Sequence, residues 1–574
     1  MSSNNFTIWA ISLPVIIIVC GVIYYYTGAI RRRFHEYLLY LQQDEYSPSR
    51  FYKWYVKNKA FDRKVTLITT IFCIIICLGI FISKKYDIKV LQEGYNIFGF
   101  IYSLSILFLY LLTVGYILRK EKDPTTQAKL QLKMTPRAIR IYSIATLFTY
   151  VLTIAIFPFF LVSGIANSYI SSCFFFCLAI IAQLIPFFLM LSVVLLSPFE
   201  KFANNKYLKE AKEKFEKINP FTISIVGSYG KSTVKNTLGE ILNVTKGHTF
   251  WPKAGINTIM GVTRKIREEL KESDKYAVIE MGTYKKGSIT NLCSLTPPKA
   301  AILTAINHMH LERFKTREKI YEAKTEVIKA LPENGILVCN ADDDFVLRAY
   351  KEANIKNKYL YGLEKKDGVK LDAYIFDIKY TSDGTTAKIL WKDSEYELKT
   401  KIVGKGGISS LLASFTMAVA LGIEPKLVLA VIKEIEPLSN RLVLKKYPNH
   451  LIYLEDGYNS NPLGFNSALE VLKVLDVKRR IVMTPGIIEL GSEQFEVNYN
   501  IAKKITKICD MVIFVGTENK ESFKKAFDED NFTNISYVEN RDEGFKILTE
   551  YQNENDAILI ENDLPDWYES KVSF

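Results

Sequence analysis

The chain has 574 residues, which at about 100 to 200 residues per domain argues against a single compact domain. Its formal net charge is +13, but Lys and Arg fall mainly in short segments between apolar runs. The composition therefore lacks the basic, aromatic-interleaved stripe of a nucleic-acid-binding protein, and no nucleic-acid partner is expected. The eight cysteines form no CxxC pair, which argues against a disulfide framework and favours a reducing, cytosolic compartment for the polar part of the chain.

Five apolar segments in the first 200 residues are long enough to cross a bilayer, because about 20 residues at about 1.5 Å each match a hydrocarbon core of about 30 Å. These segments are Phe6 to Tyr26, Val65 to Ile82, Ile97 to Leu118, Ile141 to Leu161 and Ile170 to Leu196. The first lacks a basic n-region and a small-residue cleavage site, so it is predicted to be an anchor and not a cleaved signal peptide. We predict an α-helical transmembrane domain over residues 1–200 with the lipid bilayer as its partner.

Lys and Arg are unevenly distributed between these segments. Nine lie between Arg31 and Lys64, three from 84 to 96, seven from 119 to 140 and none from 162 to 169. The positive-inside rule then places the amino terminus outside and everything after Leu196 in the cytoplasm, for a multi-pass protein of the plasma (inner) membrane. No Asp, Glu, Lys, Arg or His lies within a predicted span, which favours anchoring or lipid-substrate docking over transport.

Beyond position 200 the long apolar runs give way to a mixed pattern. The stretch from Glu200 to Lys217 is charged and helix-prone, and Pro220 ends it. Short runs rich in β-branched residues then alternate with helical patterns, which predicts α/β domains with largely parallel sheets. The predicted strands lie in FTISIVG, YAVIEMG, KAAILTAINH, NGILVCNADD, HLIYLEDGYNSNP, RRIVMTPG, DMVIFVG and DAILIEN. The alternating segment from Ala373 to Ile402 is predicted to be a small antiparallel insertion.

The sequence GSYGKST, Gly227 to Thr233, follows the first of these strands and precedes a predicted helix. Gly227 and Gly230 allow backbone N–H groups to turn towards an anion at the helix amino terminus. In such a loop Lys231 reaches the β- and γ-phosphates of a nucleotide and Ser232 offers its hydroxyl to Mg²⁺. The spacing GxxGKS is two residues shorter than the usual GxxxxGK[ST], so a structural turn without a ligand is the alternative.

Further polar residues follow neighbouring predicted strands. Glu280 ends YAVIE, His308 and His310 follow AAILTAIN, and Asp342 and Asp343 follow ILVCN. A single Glu at such a position is more often a cap or an ion-pair partner. Ligand sites in open α/β sheets, however, form at the carboxyl ends of strands, so this set predicts a site with metal ligands beside the phosphate loop.

Several stretches together resemble the Mur ligases, and within that family the branch that adds D-alanyl-D-alanine to a muramyl tripeptide. They are GSYGKSTVKN, AGINTIMGV, IEMGTYKKGSITNL, INHMHLERFKTREKIYEAKTEVI, NGILVCNADDD, EPLSNRL, DGYNSNP and IIELG, and they run in family order from Ile223 to Gly491. The resemblance implies an α/β P-loop central domain that binds ATP over residues 201–437 and an α/β Rossmann-like C-terminal domain over residues 438–574.

Site residues are implied by position in these stretches. The implied catalytic residues are Lys231, Asn257, Lys324 and Arg441. The implied metal ligands are Ser232, Glu280, His310 and Lys324. The implied nucleotide-binding residues are Gly227, Ser228, Gly230, Lys231, Ser232, Thr233, Asn340, Asp343, Arg441, Asp456, Tyr458, Asn459 and Asn461. His308 is the alternative to His310 as the metal ligand. Lys324 matches a lysine that family members carbamylate, and a carbamate is an anion able to support a second metal.

The resemblance also implies a reaction with ATP and Mg²⁺ as cofactors. A substrate carboxylate attacks the γ-phosphate of ATP, and the amino group of an amino acid or dipeptide, D-alanyl-D-alanine being favoured, attacks the resulting acyl phosphate. Soluble relatives begin with a domain that binds a UDP-linked precursor, whereas five predicted spans stand in that position here. The expected acceptor is therefore a lipid-linked peptidoglycan precursor or another envelope polymer.

One stretch departs from the family. Where relatives have a GxHNxxN-like sequence, this chain has GKGGISS, with Gly406, Gly407 and Ser410 in place of the histidine and both asparagines. Three alternatives follow: a poly-γ-glutamate-type synthase, which is also membrane-associated; a non-catalytic, nucleotide-binding membrane sensor, which the altered stretch favours; and an energised transporter, which the lack of charges within the spans disfavours.

Overall fold

The computed structural model describes residues 26–42, 46–57, 132–159 and 180–562, apart from 254, 284, 307–313, 315, 439–440, 458–459 and 489. It also describes residues 24, 177 and 178 and single positions between 67 and 115. The described residues divide into two compact units, which lie within Met1–Lys201 and Phe202–Leu564. The domain boundary predicted at 437/438 lies between the two β-sheets of the second unit.

The first unit is helical. Its described helices are residues 26–42 (α1), Pro48–Lys57 (α2), Pro136–Phe159 (α3) and the first part of Ile185–Ile218 (α4). Aromatic side chains fill its core, with edge-on ring pairs between Phe34 and Tyr142 at 5.6 Å and between Tyr37 and Phe51 at 6.3 Å. The charged stretch before Pro220 is helical within α4, as predicted.

Two helices of the described residues are long and apolar enough to cross a membrane, namely Pro136–Ile156 and Ile185–Ile218, judged by length and composition alone. They overlap the fourth and fifth predicted spans. The first three predicted spans lie mostly outside the described residues. The five-span count and the orientation therefore stay predictions.

Arg33 has an environment that the sequence pattern did not indicate. Its side chain belongs to the group of three arginines after the first apolar segment, yet it is buried within the helical unit. The guanidinium Nη1 donates to the Ala182 carbonyl at 3.4 Å and to Gln183 Oε1 at 3.3 Å. A buried cation needs such partners. Burying even an uncharged polar group without a hydrogen bond costs about 2 to 7 kcal/mol, and burying an unpaired charge costs more.

The second unit contains a nine-stranded sheet in the order β2-β3-β1-β4-β5-β6-β7-β8-β9. Strands β1 to β7 pair in parallel, and β7, β8 and β9 pair antiparallel. Its strands are Phe221–Val226 (β1), Thr249–Phe250 (β2), Tyr276–Met281 (β3), Ala300–Leu303 (β4), Ile336–Asn340 (β5), Asn357–Gly362 (β6), Ala373–Thr381 (β7), Gly384–Trp391 (β8) and Ser394–Thr400 (β9). The predicted antiparallel segment is confirmed, and it extends the main sheet at its edge.

Helices cover both faces of this sheet. They are Lys231–Lys246 (α5), Ile259–Glu269 (α6), Ser288–Leu295 (α7), Arg317–Lys324 (α8), Glu326–Ala330 (α9), Asp344–Glu352 (α10), Lys405–Ala420 (α11) and Pro425–Glu434 (α12). Successive residues of β1 enter opposite cores, since Ile225 packs with α5 and α11 residues and Val226 packs with α7 residues. Burial on both faces is what the continuous β-branched runs predict.

A six-stranded sheet follows, in the order β10-β11-β15-β12-β13-β14, parallel except for the β10–β11 pair. Its elements are Val443–Lys446 (β10), Ile452–Asp456 (β11), Pro462–Val474 (α13), Arg479–Thr484 (β12), Gln494–Ile508 (α14), Met511–Val515 (β13), Lys520–Glu529 (α15), Ile535–Val538 (β14), Arg541–Tyr551 (α16) and Asp556–Glu561 (β15). The eight predicted strands are all confirmed. Strands β2, β6, β10 and β14 carry no clear apolar pattern, so the sequence does not predict them.

Candidate active site

The phosphate loop connects β1 to α5, as the sequence predicts. Gly230 caps the helix in the left-handed region at φ 79°, a conformation that glycine adopts without strain. Ser228 N donates to the Ala305 carbonyl at 2.8 Å, and the Thr304 hydroxyl donates to the Tyr229 carbonyl at 2.5 Å. The loop is therefore held against the end of β4, and it leads directly into the amino terminus of α5.

Lys231 begins α5 and points back over this loop. Its Nζ donates to the Gly227 carbonyl at 2.7 Å and to the Ser228 carbonyl at 3.4 Å. Burial and the nearby charge of Arg441 lower the pKa of Lys231, whereas Glu280 opposes that shift. The ammonium group is thus within the loop that the sequence predicts to cradle phosphates.

Glu280, near the end of β3, is the centre of a polar cluster and is only 2% exposed. Its Oε2 accepts hydrogen bonds from Ser232 Oγ at 2.9 Å and from Lys235 Nζ at 3.3 Å. Its Oε1 accepts from Asn257 Nδ2 at 3.2 Å. The structure therefore brings together the predicted residues Ser232, Glu280 and Asn257, and it adds Lys235.

The Ser232 hydroxyl and the Glu280 carboxylate fit a magnesium ion. Mg²⁺ usually takes one or two carboxylates and completes its shell with waters and substrate phosphates. Within the described part of the chain, no group of three or more His, Cys, Asp or Glu side chains is placed to hold a metal. The predicted second metal ligand, His310, and its rival His308 lie outside the described residues.

Lys324, at the end of α8, is 3% exposed. Burial lowers its pKa well below the usual value, the Lys231 cation adds to that effect, and Asp343 opposes it. Lys324 therefore lies near enough to Lys231 of the phosphate loop and to Asp343 after β5 for their charges to affect its pKa. An uncharged amine at this position is able to react with carbon dioxide, which a protonated lysine is not.

The residues after β5 have structural partners. Asn340 Nδ2 donates to the Thr304 carbonyl at 2.9 Å. Asp343 caps α10, accepting from Phe345 N and Val346 N at 3.0 Å each, and also accepts from Ile306 N at 2.9 Å. Although these hydrogen bonds lower it, burial raises the pKa of Asp343 overall. Both residues, Asn340 and Asp343, also line a cavity in the second unit.

That cavity has a volume of about 490 Å³ and is lined by both α/β domains. The lining residues from the phosphate loop, the start of α5 and the end of β5 include Gly230, Thr233, Asn340 and Asp343. Those from the C-terminal domain include Arg441, Asp456 and Asn461. Asn461 also caps α13 by accepting from Gly464 N at 3.0 Å. Tyr458 and Asn459 lie outside the described residues.

Asp456 pairs with Glu561 in the register of β11 and β15, so the two carboxyls are neighbours on one face of the sheet. Burial raises the pKa of Asp456 to about 6, although Arg441 opposes the shift. Burial and the charge of Asp456 raise the pKa of Glu561 well above its usual range. Glu561 Oε1 accepts from Ser460 Oγ, and its buried Oε2 has no hydrogen-bond partner among the described residues.

Comparison with known proteins agrees with this geometry. Residues 225–418, which contain the phosphate loop, Glu280, Lys324 and the end of β5, match the Mur ligase middle domain. This central part of the chain is therefore similar to the Mur ligases. The UDP-N-acetylmuramoyl-tripeptide–D-alanyl-D-alanine ligase of Haemophilus influenzae is 28% identical over 308 residues, which are 53% of this chain and 65% of that protein. The matched region thus spans slightly less than two thirds of that relative.

Further similarities extend over the same region. The ligase of the same name from Bacillus subtilis is 26% identical over 355 residues, or 61% of this chain and 74% of that protein. The structure of MurF from Acinetobacter baumannii superimposes with a TM-score of 0.55 at 21% identity, covering 63% of this chain and 77% of that one. MurF from Thermotoga maritima in complex with ADP gives 0.54 at 24% identity, covering 63% and 80%. These structures share the Mur ligase α/β fold.

The GKGGISS stretch, which departs from the family pattern, forms the start of α11. Gly406 and Gly407 line the cavity together with Ser410, whose oxygen lies 3.0 Å from the position that a Cβ of Gly230 would take. Ser410 Oγ donates to the Gly406 carbonyl at 2.8 Å, so it is used within the helix. The Ser410 hydroxyl is therefore already engaged in an intrahelical hydrogen bond at this edge of the cavity.

Four features of the site were not singled out from the sequence. They are Thr304 against the phosphate loop, Lys235 beside Glu280, Arg317 with its guanidinium 4.5 Å from the centre of the Phe345 ring, and Glu561 beside Asp456. The position of Lys235 could have been predicted, since it lies four residues after Lys231 and hence on the same face of α5. The others depend on contacts between distant parts of the chain.

Proposed function

We propose that this chain is an ATP-dependent carboxylate–amine ligase that forms an amide through an acyl phosphate. The observation that carries the proposal is the shared cavity, because Gly230 and Thr233 of the phosphate loop line it together with Arg441 and Asp456 of the C-terminal domain. Two domains that contribute to one cavity suit a reaction that holds a nucleotide, a carboxylate and an amine in contact.

The chain's own groups suit the first chemical step. The substrate carboxylate attacks the γ-phosphate, and the charge on the transferring phosphoryl group must be neutralised in the transition state. Lys231 and Arg441 supply cations, and the amino terminus of α5 supplies backbone donors. A magnesium ion, held by Ser232 and Glu280, supplies further charge neutralisation on the phosphate oxygens when it is bound. Lys324, as a carbamate, would support a second ion.

The second step joins the amine to the acyl phosphate. The incoming ammonium loses a proton to solvent and its nitrogen attacks the acyl carbon. The carbon–oxygen bond to phosphate then breaks with its electron pair on the phosphate, and the nitrogen loses a second proton to solvent as the amide forms. Asn257, hydrogen-bonded to Glu280, is the side chain that the family resemblance puts near the reacting groups. Support for D-alanyl-D-alanine as the amine comes from the names of the relatives that match this chain.

The acceptor and the location complete the proposal. We propose a muramyl peptide held by a lipid carrier at the inner face of the plasma membrane, with residues 1–200 as the membrane domain. Two apolar helices of sufficient length support this location. The apolar amino-terminal segments stand where soluble members of the family bind a UDP-linked precursor, which supports a lipid-linked acceptor.

The test uses full-length protein in detergent with ATP, Mg²⁺ and D-alanyl-D-alanine, and it offers either a UDP-linked or a lipid-linked muramyl tripeptide. We expect phosphate release and a product increased in mass by the dipeptide, with the lipid-linked acceptor preferred. Lys231→Ala should abolish both readouts, whereas Lys246→Ala, an exposed lysine at the end of the same helix, should retain them.

The outcomes separate the alternatives. Equal use of the UDP-linked precursor would refute the lipid-linked acceptor and make the apolar segments an anchor. Polymerisation of glutamate in place of dipeptide addition would favour the poly-γ-glutamate-type synthase. Nucleotide binding without turnover, for every carboxylate and amine offered, would contradict the ligase and favour the sensor.

A further inference from the structure

Lys235 occupies an unusual position for a lysine. It lies on α5, one turn after Lys231, and its side chain is completely buried. Lysine is almost never fully buried without an anionic partner. Here the partner is Glu280, whose Oε2 lies 3.3 Å from the Lys235 Nζ.

The same carboxylate oxygen is shared with the proposed metal ligand. Ser232 Oγ donates to Glu280 Oε2 at 2.9 Å, while Asn257 holds the other oxygen at 3.2 Å. A divalent cation bound between Ser232 and Glu280 would therefore lie beside the Lys235 ammonium. Like charges at such a distance repel strongly where little water is present to screen them.

We propose that Lys235 is a resident counter-cation of Glu280, which keeps divalent cations from binding tightly at Ser232 and Glu280 until nucleotide phosphates add their negative charge. In the absence of nucleotide, the Lys235 ammonium already neutralises the buried carboxylate. Phosphate oxygens beside the loop restore a net negative charge, and the metal then binds together with the nucleotide. Lys235 is thus a positioning residue that also sets the order of binding.

This inference rests on the proposed nucleotide and metal site, but its test needs no turnover. Full-length protein in detergent is titrated with Mn²⁺ alone, and free Mn²⁺ is followed by electron paramagnetic resonance, with and without ADP. Without nucleotide, Lys235→Met should bind Mn²⁺ about tenfold or more tighter than the unchanged protein, a difference that corresponds to about 1.4 kcal/mol. With ADP present the two affinities should converge.

Three further variants make the result specific. Lys235→Gln keeps a hydrogen-bond donor without the charge, so it should show the same gain as Lys235→Met, and it provides the test if the methionine variant fails to fold. Lys246→Gln removes an exposed charge from the same helix and should change nothing. Adding Glu280→Gln to Lys235→Met should abolish the gain.

Each contrary outcome overturns the proposal. Unchanged Mn²⁺ affinity in folded Lys235→Met and Lys235→Gln, checked by thermal unfolding in EDTA, would show that Lys235 only fills the core. A gain in Lys235→Met alone would assign the effect to shape and not to charge. A gain that survives Glu280→Gln would place the ion elsewhere. If no variant forms amide but these affinities behave as expected, the proposed ligase activity fails and the counter-cation inference stands.

Discussion

The hydroxyl oxygen of Thr304 lies 1.9 Å from the point at which a Cβ atom on Gly227 would stand. No side chain, not even a methyl group, fits there while Thr304 keeps its hydrogen bond to the loop carbonyl of Tyr229. The first glycine of the phosphate loop is therefore required by close packing against the end of β4. Its φ angle is not the reason, because only Gly230 of this loop has a positive φ.

Gly227→Ala should shift the loop and weaken ADP binding, and it should lower the free energy of unfolding by about 1 to 3 kcal/mol, the usual cost of overpacking. Isothermal titration with ADP and thermal unfolding measure the two effects. Combining the change with Thr304→Ala removes the clashing oxygen and should recover part of the stability. If the double variant is as unstable as the sum of the two single variants, the Thr304 contact is not the cause.

Lys324 should form a carbamate at neutral pH. Its ammonium is disfavoured by burial and by Lys231, so the neutral amine is more populated at any given pH than in exposed lysines, whose pKa is about 10.4. Protein equilibrated with ¹³C-bicarbonate should give one carbamate signal in a ¹³C NMR spectrum, and Lys324→Ala should lose it. Lys329→Ala, which alters a lysine near the end of α9, should keep it; persistence of the signal in Lys324→Ala would refute the assignment.

The Asp456–Glu561 pair should make the protein less stable as pH rises. A carboxyl whose pKa is higher in the folded than in the unfolded chain keeps its proton longer in the folded state, so the unfolding free energy falls above the unfolded-state pKa. For Asp456 this window runs from its ordinary value of 3.8 to about 6, and Glu561 extends it upward.

Glu561→Gln replaces one of the two buried carboxyls with a group that does not ionise. At pH 8 it should raise the unfolding free energy by on the order of 1 to 3 kcal/mol, and it should flatten the loss of stability between pH 4 and 8. Denaturant unfolding at several pH values measures this. The exposed Glu554→Gln is the matched control, and an unchanged pH profile in Glu561→Gln would contradict the prediction.

Two adjacent glycines at the start of α11 should differ in their tolerance of a side chain. A Cβ on Gly406 would meet nothing within 4 Å, whereas a Cβ on Gly407 would lie 2.5 Å from Ile402 Cγ2. Gly406→Ala should stabilise the helix by about 0.5 to 1 kcal/mol, and Gly407→Ala should be neutral or destabilising. Thermal unfolding of both variants checks the order, and the reverse order would show that the start of α11 is differently packed.

Much of the site follows from local sequence alone. A β-branched run, two glycines and a lysine before a helical pattern are sufficient to predict the strand, the phosphate loop and the helix that begins at Lys231. The same holds for Glu280 and Asp343, because parallel strands bring their carboxyl ends to one edge. The sequence also carries the resemblance to the Mur ligases, through several short stretches in a fixed order.

Contacts between residues far apart in the chain were decided only by the tertiary structure. From the sequence, Lys235 is one more charged residue on a helix. In the folded structure it is buried against Glu280, which is 45 positions away in the chain. From the sequence, Glu561 is the last residue of an ordinary strand. In the structure β15 lies between β11 and β12, which places Glu561 beside Asp456. Local propensity determines which residues form strands and helices, but strand order determines which charges become neighbours, and burial there determines their protonation.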